Sequence, residues 1–191
     1  LPQGFQATTV ISELGRNRHL AVHQNGDIYV KLDRLKDGKG IYVLRDANKD
    51  GVMEVVNSFG DFQGTGIAIR GNYLYASSDK GVFRYTLDGK NEITNPDKPE
   101  VIVTGLMAKR QHQSKSFALD NAGNIYVNIG APSNSCQEKD RAKGSPAKDP
   151  RPLLDSAGGI WQFKAGKFNQ SYAEGTRYAT GIRNVVGLDW N

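Results

Sequence analysis

The sequence predicts an all-β fold, three to four blades of a β-propeller that form the N-terminal part of a larger one. Three observations predict it. Helical periodicity is weak, and short alternating segments bounded by Gly, Asn or Asp run along the chain. A strand–turn–strand unit followed by a Gly-led strand recurs. Its period matches the roughly 40–50 residues of a four-stranded blade.

The unit first reads Leu20-Ala21-Val22, a turn at Gln24-Asn25-Gly26-Asp27, then Ile28-Tyr29-Val30. It returns as Ile67-Ala68-Ile69, Arg70-Gly71-Asn72 and Tyr73-Leu74-Tyr75, and again as Phe117-Ala118-Leu119, residues 120–124 and Ile125-Tyr126-Val127. Asn-Gly and Gly-Asn pairs suit the positive φ angles of tight hairpins. A Gly-led strand follows each copy, at Gly40–Leu44, Gly81–Tyr85 and Gly159–Phe163. A fourth copy is expected to begin at Val186-Gly187-Leu188-Asp189. The aligned tyrosines stand 46 and 51 residues apart (29 to 75, 75 to 126). One such sheet cannot bury both faces, so stacking copies around a channel is the stable solution. A β-sandwich also has many short strands, but the regular strand–turn–strand–Gly-strand order favours the propeller.

Composition fits this reading. The chain has 191 residues with 22 Gly against 7 Pro, which favours tight turns over disorder. No apolar run reaches the roughly 20 residues of a membrane span, so no transmembrane segment is expected. The formal charge is +5, but the lysines are scattered and accompany no basic helix or aromatic RNA-binding motif. Nucleic acid is therefore not an expected partner. The single cysteine, Cys136, excludes a disulfide within the chain, which fits a reducing compartment or a disulfide-free periplasmic protein. Leu1-Pro2-Gln3-Gly4-Phe5 shows no signal-peptide pattern, as expected of a mature N-terminus or of a boundary set elsewhere. A polar stretch over residues 131–157, with Pro132, Pro146, Pro150 and Pro152, interrupts the repeat. It reads as an excursion over one end of the propeller, acting as a lid or as a subunit contact in a homodimer.

Aligning the copies on Ala21, Ala68, Ala118 and Gly187 places Asn17-Arg18, Gly64-Thr65, Ser114-Lys115 and Arg183-Asn184 at equivalent positions, with His112-Gln113 slightly earlier. Innermost strands line the channel, so the loops leading into them ring one mouth. The expected ring is Arg18, His112, Lys115, Arg183 and Asn184. It is basic with a single imidazole, suited to holding an anion and moving a proton. Taken singly, Arg18 and Lys115 read as solvated, and Arg183 has a structural alternative in capping carbonyls between blades. His19 and His23 share a strand face but have no evident third ligand, so surface or core roles are expected of them.

Two strings carry a resemblance. Gln111-His112-Gln113-Ser114, with Phe117-Ala118-Leu119-Asp120 and Asn124–Gly130, resembles the catalytic blade of soluble quinoprotein glucose dehydrogenases. Thr180-Gly181-Ile182-Arg183-Asn184-Val185-Val186-Gly187-Leu188 resembles that family's Gly-x-Arg-Asn-x-x-Gly-Leu motif, and the opening blades are similar to the sorbosone dehydrogenase branch. The resemblance implies a six-bladed propeller that carries pyrroloquinoline quinone (PQQ) and calcium. It implies oxidation of an aldose or related sugar, an external electron acceptor, and a periplasmic or secreted location. It makes His112 the general base that takes the proton of the anomeric hydroxyl while hydride leaves for the quinone. It gives the quinone oxygens to Arg183 and Asn184, with Arg18 and Gln111 beside them as cofactor-binding candidates. Gln111 is also a departure, because the family has an acid there. The calcium-binding loop and the later basic residues that hold the cofactor's carboxylates would lie beyond Asn191, so this chain would hold part of the pocket.

A separate signal is Asp46-Ala47-Asn48-Lys49-Asp50-Gly51-Val52-Met53-Glu54. The D-x-N-x-D-G spacing places oxygens of Asp46, Asn48 and Asp50 as calcium loops do, with Glu54 as a ninth-position ligand. The alternative is an Asp/Asn-rich hairpin without metal, since Asn57 stands where a bidentate Glu is expected. Two other functions remain open at this point. A non-enzymatic propeller would bind carbohydrate or protein without needing His112 and Arg183 on one rim. A metal-dependent, lactonase-like hydrolase would need acidic and Asn ligands on the channel loops, where this ring is basic.

Overall fold

The computed structural model describes residues 1–108 and 111–191. The first sheet runs β1 (Asn17–Val22), β2 (Ile28–Lys36), β3 (Lys39–Arg45) and β4 (Glu54–Phe59). The second has β5 (Ile67–Arg70), β6 (Tyr73–Ser77), β7 (Val82–Thr86) and β8 (Glu100–Thr104). The third has β9 (Phe117–Leu119), β10 (Asn124–Ile129) and β11 (Gly159–Lys164). The chain then adds the short β12 (Gln170–Ser171) in parallel to β8 before β13 (Thr176–Thr180) completes the third sheet beside β11. Each sheet is otherwise an antiparallel meander, and its first strand lies at one edge.

The repeat read from the sequence is the repeat of the structure. Ala21 pairs across strands with Tyr29, Ala68 with Tyr75 and Ala118 with Tyr126. The edge strands β1, β5 and β9 lie one against the next, so the aligned alanines sit on neighbouring inner strands. In each sheet the tyrosine faces forward along the chain. Tyr29 reaches the second sheet, where its hydroxyl donates to the Asn91 carbonyl at 2.8 Å. Tyr75 packs into the core shared with the third sheet, and Tyr126 stacks on Trp190 with centroids 4.9 Å apart.

Period-two alternation explains the packing. Tyr29, Ile41, Val43 and Phe59 of the first sheet meet Leu74, Ala76 and Tyr85 of the second. The other face of the second sheet joins Phe117, Ile125, Val127, Ile129, Trp161 and Phe163 of the third in a second core. Val30, Leu32, Tyr42 and Leu44, on the far face of the first sheet, are covered by Ile11 and Leu14 of the leading segment.

One expectation fails. Residues 181–191 form no strand, so the fourth copy is not a sheet strand here. A strand needs a neighbour for its backbone hydrogen bonds, and among the described residues none pairs with this segment.

The strand directions sort the loops into two ends. Arg45, at the end of β3, holds Asp27 of the β1–β2 turn through Nε and Nη2 at 2.8 and 2.6 Å. The 46–53 loop therefore shares its end with the β1–β2 turn. The loops leading into β1, β5 and β9 lie at the opposite end, together with the β10–β11 connection. That connection is the 131–157 insert. It is internally tied, with Gln137 Nε2 donating to the Ala142 and Ser145 carbonyls at 3.0 and 3.3 Å.

Candidate active site

His112 stands just before β9 with φ +53°, the left-handed region that a non-glycine residue seldom occupies. Its Nδ1 lies 2.7 Å from the Ala131 carbonyl oxygen. A carbonyl only accepts, so Nδ1 carries the proton and the lone pair of the neutral ring is on Nε2. The backbone of His112 also presses on Gly130. A Cβ at position 130 would sit 2.2 Å from His112 O and 2.6 Å from His112 Cβ, so only glycine allows the approach.

The same Cβ would lie 2.9 Å from Asn184 Oδ1, so Gly130 is the point where His112 and Asn184 meet. Asn128 secures this meeting from within β10. It is fully buried. Its Nδ2 donates to Asn184 Oδ1 and to the Ser114 carbonyl, each at 2.8 Å, and its Oδ1 accepts the Val185 N–H at 3.0 Å. The Ser116 hydroxyl donates to the Val185 carbonyl. Ala131 N donates to the Arg183 carbonyl at 2.7 Å, from the residue whose own carbonyl holds His112. Residues 112 and 183–185 thus come to one end of the sheets. Asn128 lies within the motif Asn124–Gly130, and the sequence assigns it no role. The available signal was an amide set inside the otherwise apolar run Ile125–Ile129.

The other expected residues sort as follows. Arg183 is exposed, donates from Nη1 to Asn134 Oδ1 at 2.7 Å, and borders a pocket of about 170 Å³ lined also by Ser133, Cys136, Arg151 and Leu154. Arg18 is exposed at the same mouth, its Nη2 3.4 Å from Ser114 Oγ. Gln111 turns to the insert, donating to Asp140 and accepting from Arg141 Nε and Nη2 at 3.1 and 3.0 Å. Lys115 departs from its expected solvated place. It is fully buried, donates to the Gln113 carbonyl at 2.7 Å, and burial lowers its pKa to about 8 against the opposing pull of Asp79. Lys31 is a second such amine. It is fully buried, it donates to Phe62 O at 2.5 Å, and burial takes its pKa to about 7. His19 is half-buried on β1, with the Val186 backbone beside it, and His23 caps the β1–β2 turn through Asn25.

The calcium candidates lie at the other end, away from His112. Asp46 accepts the N–H groups of Asp50 and Gly51 at 3.1 and 3.0 Å, Asn48 accepts Asp50 N at 2.9 Å, and Asp50 accepts Val52 N at 2.8 Å. Glu54 accepts Ala47 N at 3.2 Å. The loop is therefore a self-capped turn, and among the described residues no three His, Cys, Asp or Glu side chains converge as a metal site.

The fold has solved counterparts. A Trichoderma reesei enzyme of carbohydrate-active family AA12 aligns with a TM-score of 0.68 at 20% identity, covering 93% of this chain and 43% of its own. The PQQ domain of a pyranose dehydrogenase from Coprinopsis cinerea aligns with a TM-score of 0.61 at 18% identity, covering 89% and 39%. The PQQ-bound aldose sugar dehydrogenase of Streptomyces coelicolor aligns at 0.50 and 19% identity, covering 82% and 47%. The chain thus spans less than half the length of each. No curated protein sequence matches it. The expected glucose and sorbosone branch is narrower than what the match over residues 1–191 shows, which is that the chain belongs to the TrAA12-like family.

Proposed function

We propose that the chain is three blades of a six-bladed propeller and carries the base and part of the cofactor site of a PQQ-dependent sugar dehydrogenase. The observation that supports this most is the joint placement of His112, Asn184 and Arg183 around Gly130 and Ala131. The donor set fits the cofactor. PQQ is a planar quinone bearing carboxylates, and this mouth offers the guanidinium groups of Arg183 and Arg18 with the Asn184 amide. When bound, the quinone supplies a two-electron acceptor.

The chain's own residues do the rest. Ala131 keeps the proton on Nδ1 of His112, so Nε2 can take the proton of a sugar's anomeric hydroxyl. Asn128 fixes Asn184, and the Ala131 N–H fixes the Arg183 backbone, so both donors are placed before any ligand arrives. The substrate class is an aldose or related sugar of the glucose or sorbosone type, and an external acceptor must reoxidise the cofactor. A periplasmic or secreted location belongs to the same reading, and the calcium of such a site would be held by residues outside this chain. Among the described residues, no helix is long and apolar enough to cross a membrane.

The test is reconstitution of the full-length protein with PQQ and calcium, followed by assay against aldoses and sorbosone with an artificial acceptor. Sugar-dependent reduction that requires PQQ is expected. Arg183→Ala should weaken PQQ binding and slow the reaction. Absence of PQQ binding by the wild-type protein would overturn the proposal.

A further inference from the structure

The 131–157 insert makes a continuous polar chain from the neighbour of His112 to the guanidinium of Arg183. Gln111 Nε2 donates to Asp140 Oδ2. The other carboxylate oxygen, Oδ1, accepts Asn134 N at 2.6 Å. Asn134 in turn accepts Arg183 Nη1 at 2.7 Å through its side-chain oxygen. Arg141 closes the near side by donating twice to Gln111 Oε1. One carboxylate thus orders both the residue before the base and the residue that holds the arginine.

His112 needs such support. Its positive φ persists only where surrounding contacts fix it. Gly130 and Ala131 hold it from one side. Among the described residues, the side-chain hydrogen bonds of its neighbour Gln111 go to Asp140 and Arg141. The Asn134 N–H, the Gln111 amide, Arg141 and the nearby His112 all hold the pKa of Asp140 below the ordinary value, against the opposing effect of burial.

We propose that Asp140 is a positioning residue, and that the insert is a clasp through which this carboxylate sets His112 and Arg183 relative to one another. The positioning half rests on the function proposed above; the clasp itself does not.

The test compares wild type with Asp140→Ala, Asp140→Glu and Asn134→Ala in the full-length protein, using trypsin, PQQ titration and sugar kinetics. In Asp140→Ala, trypsin should cut faster after Lys139, Arg141 and Lys143. Its kcat should fall about 10- to 100-fold with KM little changed, as expected when catalytic groups lose alignment. Asp140→Glu should recover part of both. Asn134→Ala releases only the arginine arm, so its PQQ dissociation constant should rise about tenfold, as for one lost charge-assisted hydrogen bond. Cleavage of Asp140→Ala at the wild-type rate would overturn the clasp. Faster cleavage with unchanged kcat and PQQ affinity would overturn the positioning role. A wild-type protein that binds no PQQ would overturn the proposed function and the positioning role together, and the trypsin pattern would still decide the clasp.

Discussion

The amide of Asn128 donates to Asn184 Oδ1 over 2.8 Å, joining the middle of β10 to a residue 56 positions further along the chain. Asn128 is fully buried and also serves Ser114 O and Val185 N, so its removal leaves partners without bonds in a dry setting. Asn128→Ala is expected to cost about 1–3 kcal/mol of stability, read by urea denaturation. It should also weaken PQQ binding, because Asn184 loses its anchor. Wild-type stability and PQQ affinity in this variant would show that the network positions nothing.

Gly130 offers a sharper probe. Adding one methyl group there meets His112 O at 2.2 Å and Asn184 Oδ1 at 2.9 Å, so the loop before β9 must move. Gly130→Ala should keep the β-sheet signal in circular dichroism, since the clash lies outside the strands. Turnover should fall by about 10²-fold, the usual result of a misplacement near 1 Å. A crystal structure of the variant with His112 unmoved would contradict the reasoning.

Two buried amines make stability depend on pH. Burial lowers Lys115 from 10.5 to about 8 and Lys31 from 10.5 to about 7. Between those values and 10.5 the unfolded chain binds more protons than the folded one, so stability rises with pH. Melting temperature is therefore expected to climb from about pH 7 towards pH 10, until other groups titrate. Lys115→Met should flatten the rise above pH 8. An unchanged slope in that variant would place the charge elsewhere.

At the Asp46–Glu54 loop, backbone N–H groups already engage the carboxylates of Asp46 and Asp50. Calcium has to compete with them, so calorimetry should show weak binding that Asp46→Asn and Asp50→Asn abolish. Absence of calcium-dependent heat in the wild type would leave the loop a plain turn.

The sheets were legible in the sequence because each inner strand and its partner are separated by one short turn. Ala21 and Tyr29 are near in sequence and directly opposed in space, as are the pairs at Ala68 and Ala118. The rim was legible because equivalent positions of a repeat come to one end. The depth of Lys115 was not, because it depends on how two sheets close over the residue rather than on its neighbours in the chain. Nor was the contact of Asp140 with Gln111, 29 positions apart, which depends on the path of an irregular loop. The missing fourth strand has the opposite cause. The pattern at Val186–Asp189 is correct for a strand, but a strand needs a neighbour.

As the proposed base, His112 has its proton held on Nδ1 by Ala131. The most direct measurement is sugar turnover by the PQQ-loaded full-length His112→Ala variant, with PQQ affinity measured alongside. The base role predicts a fall in turnover of about 10²- to 10⁴-fold while PQQ affinity stays near the wild-type value. Turnover equal to that of the wild type would contradict it.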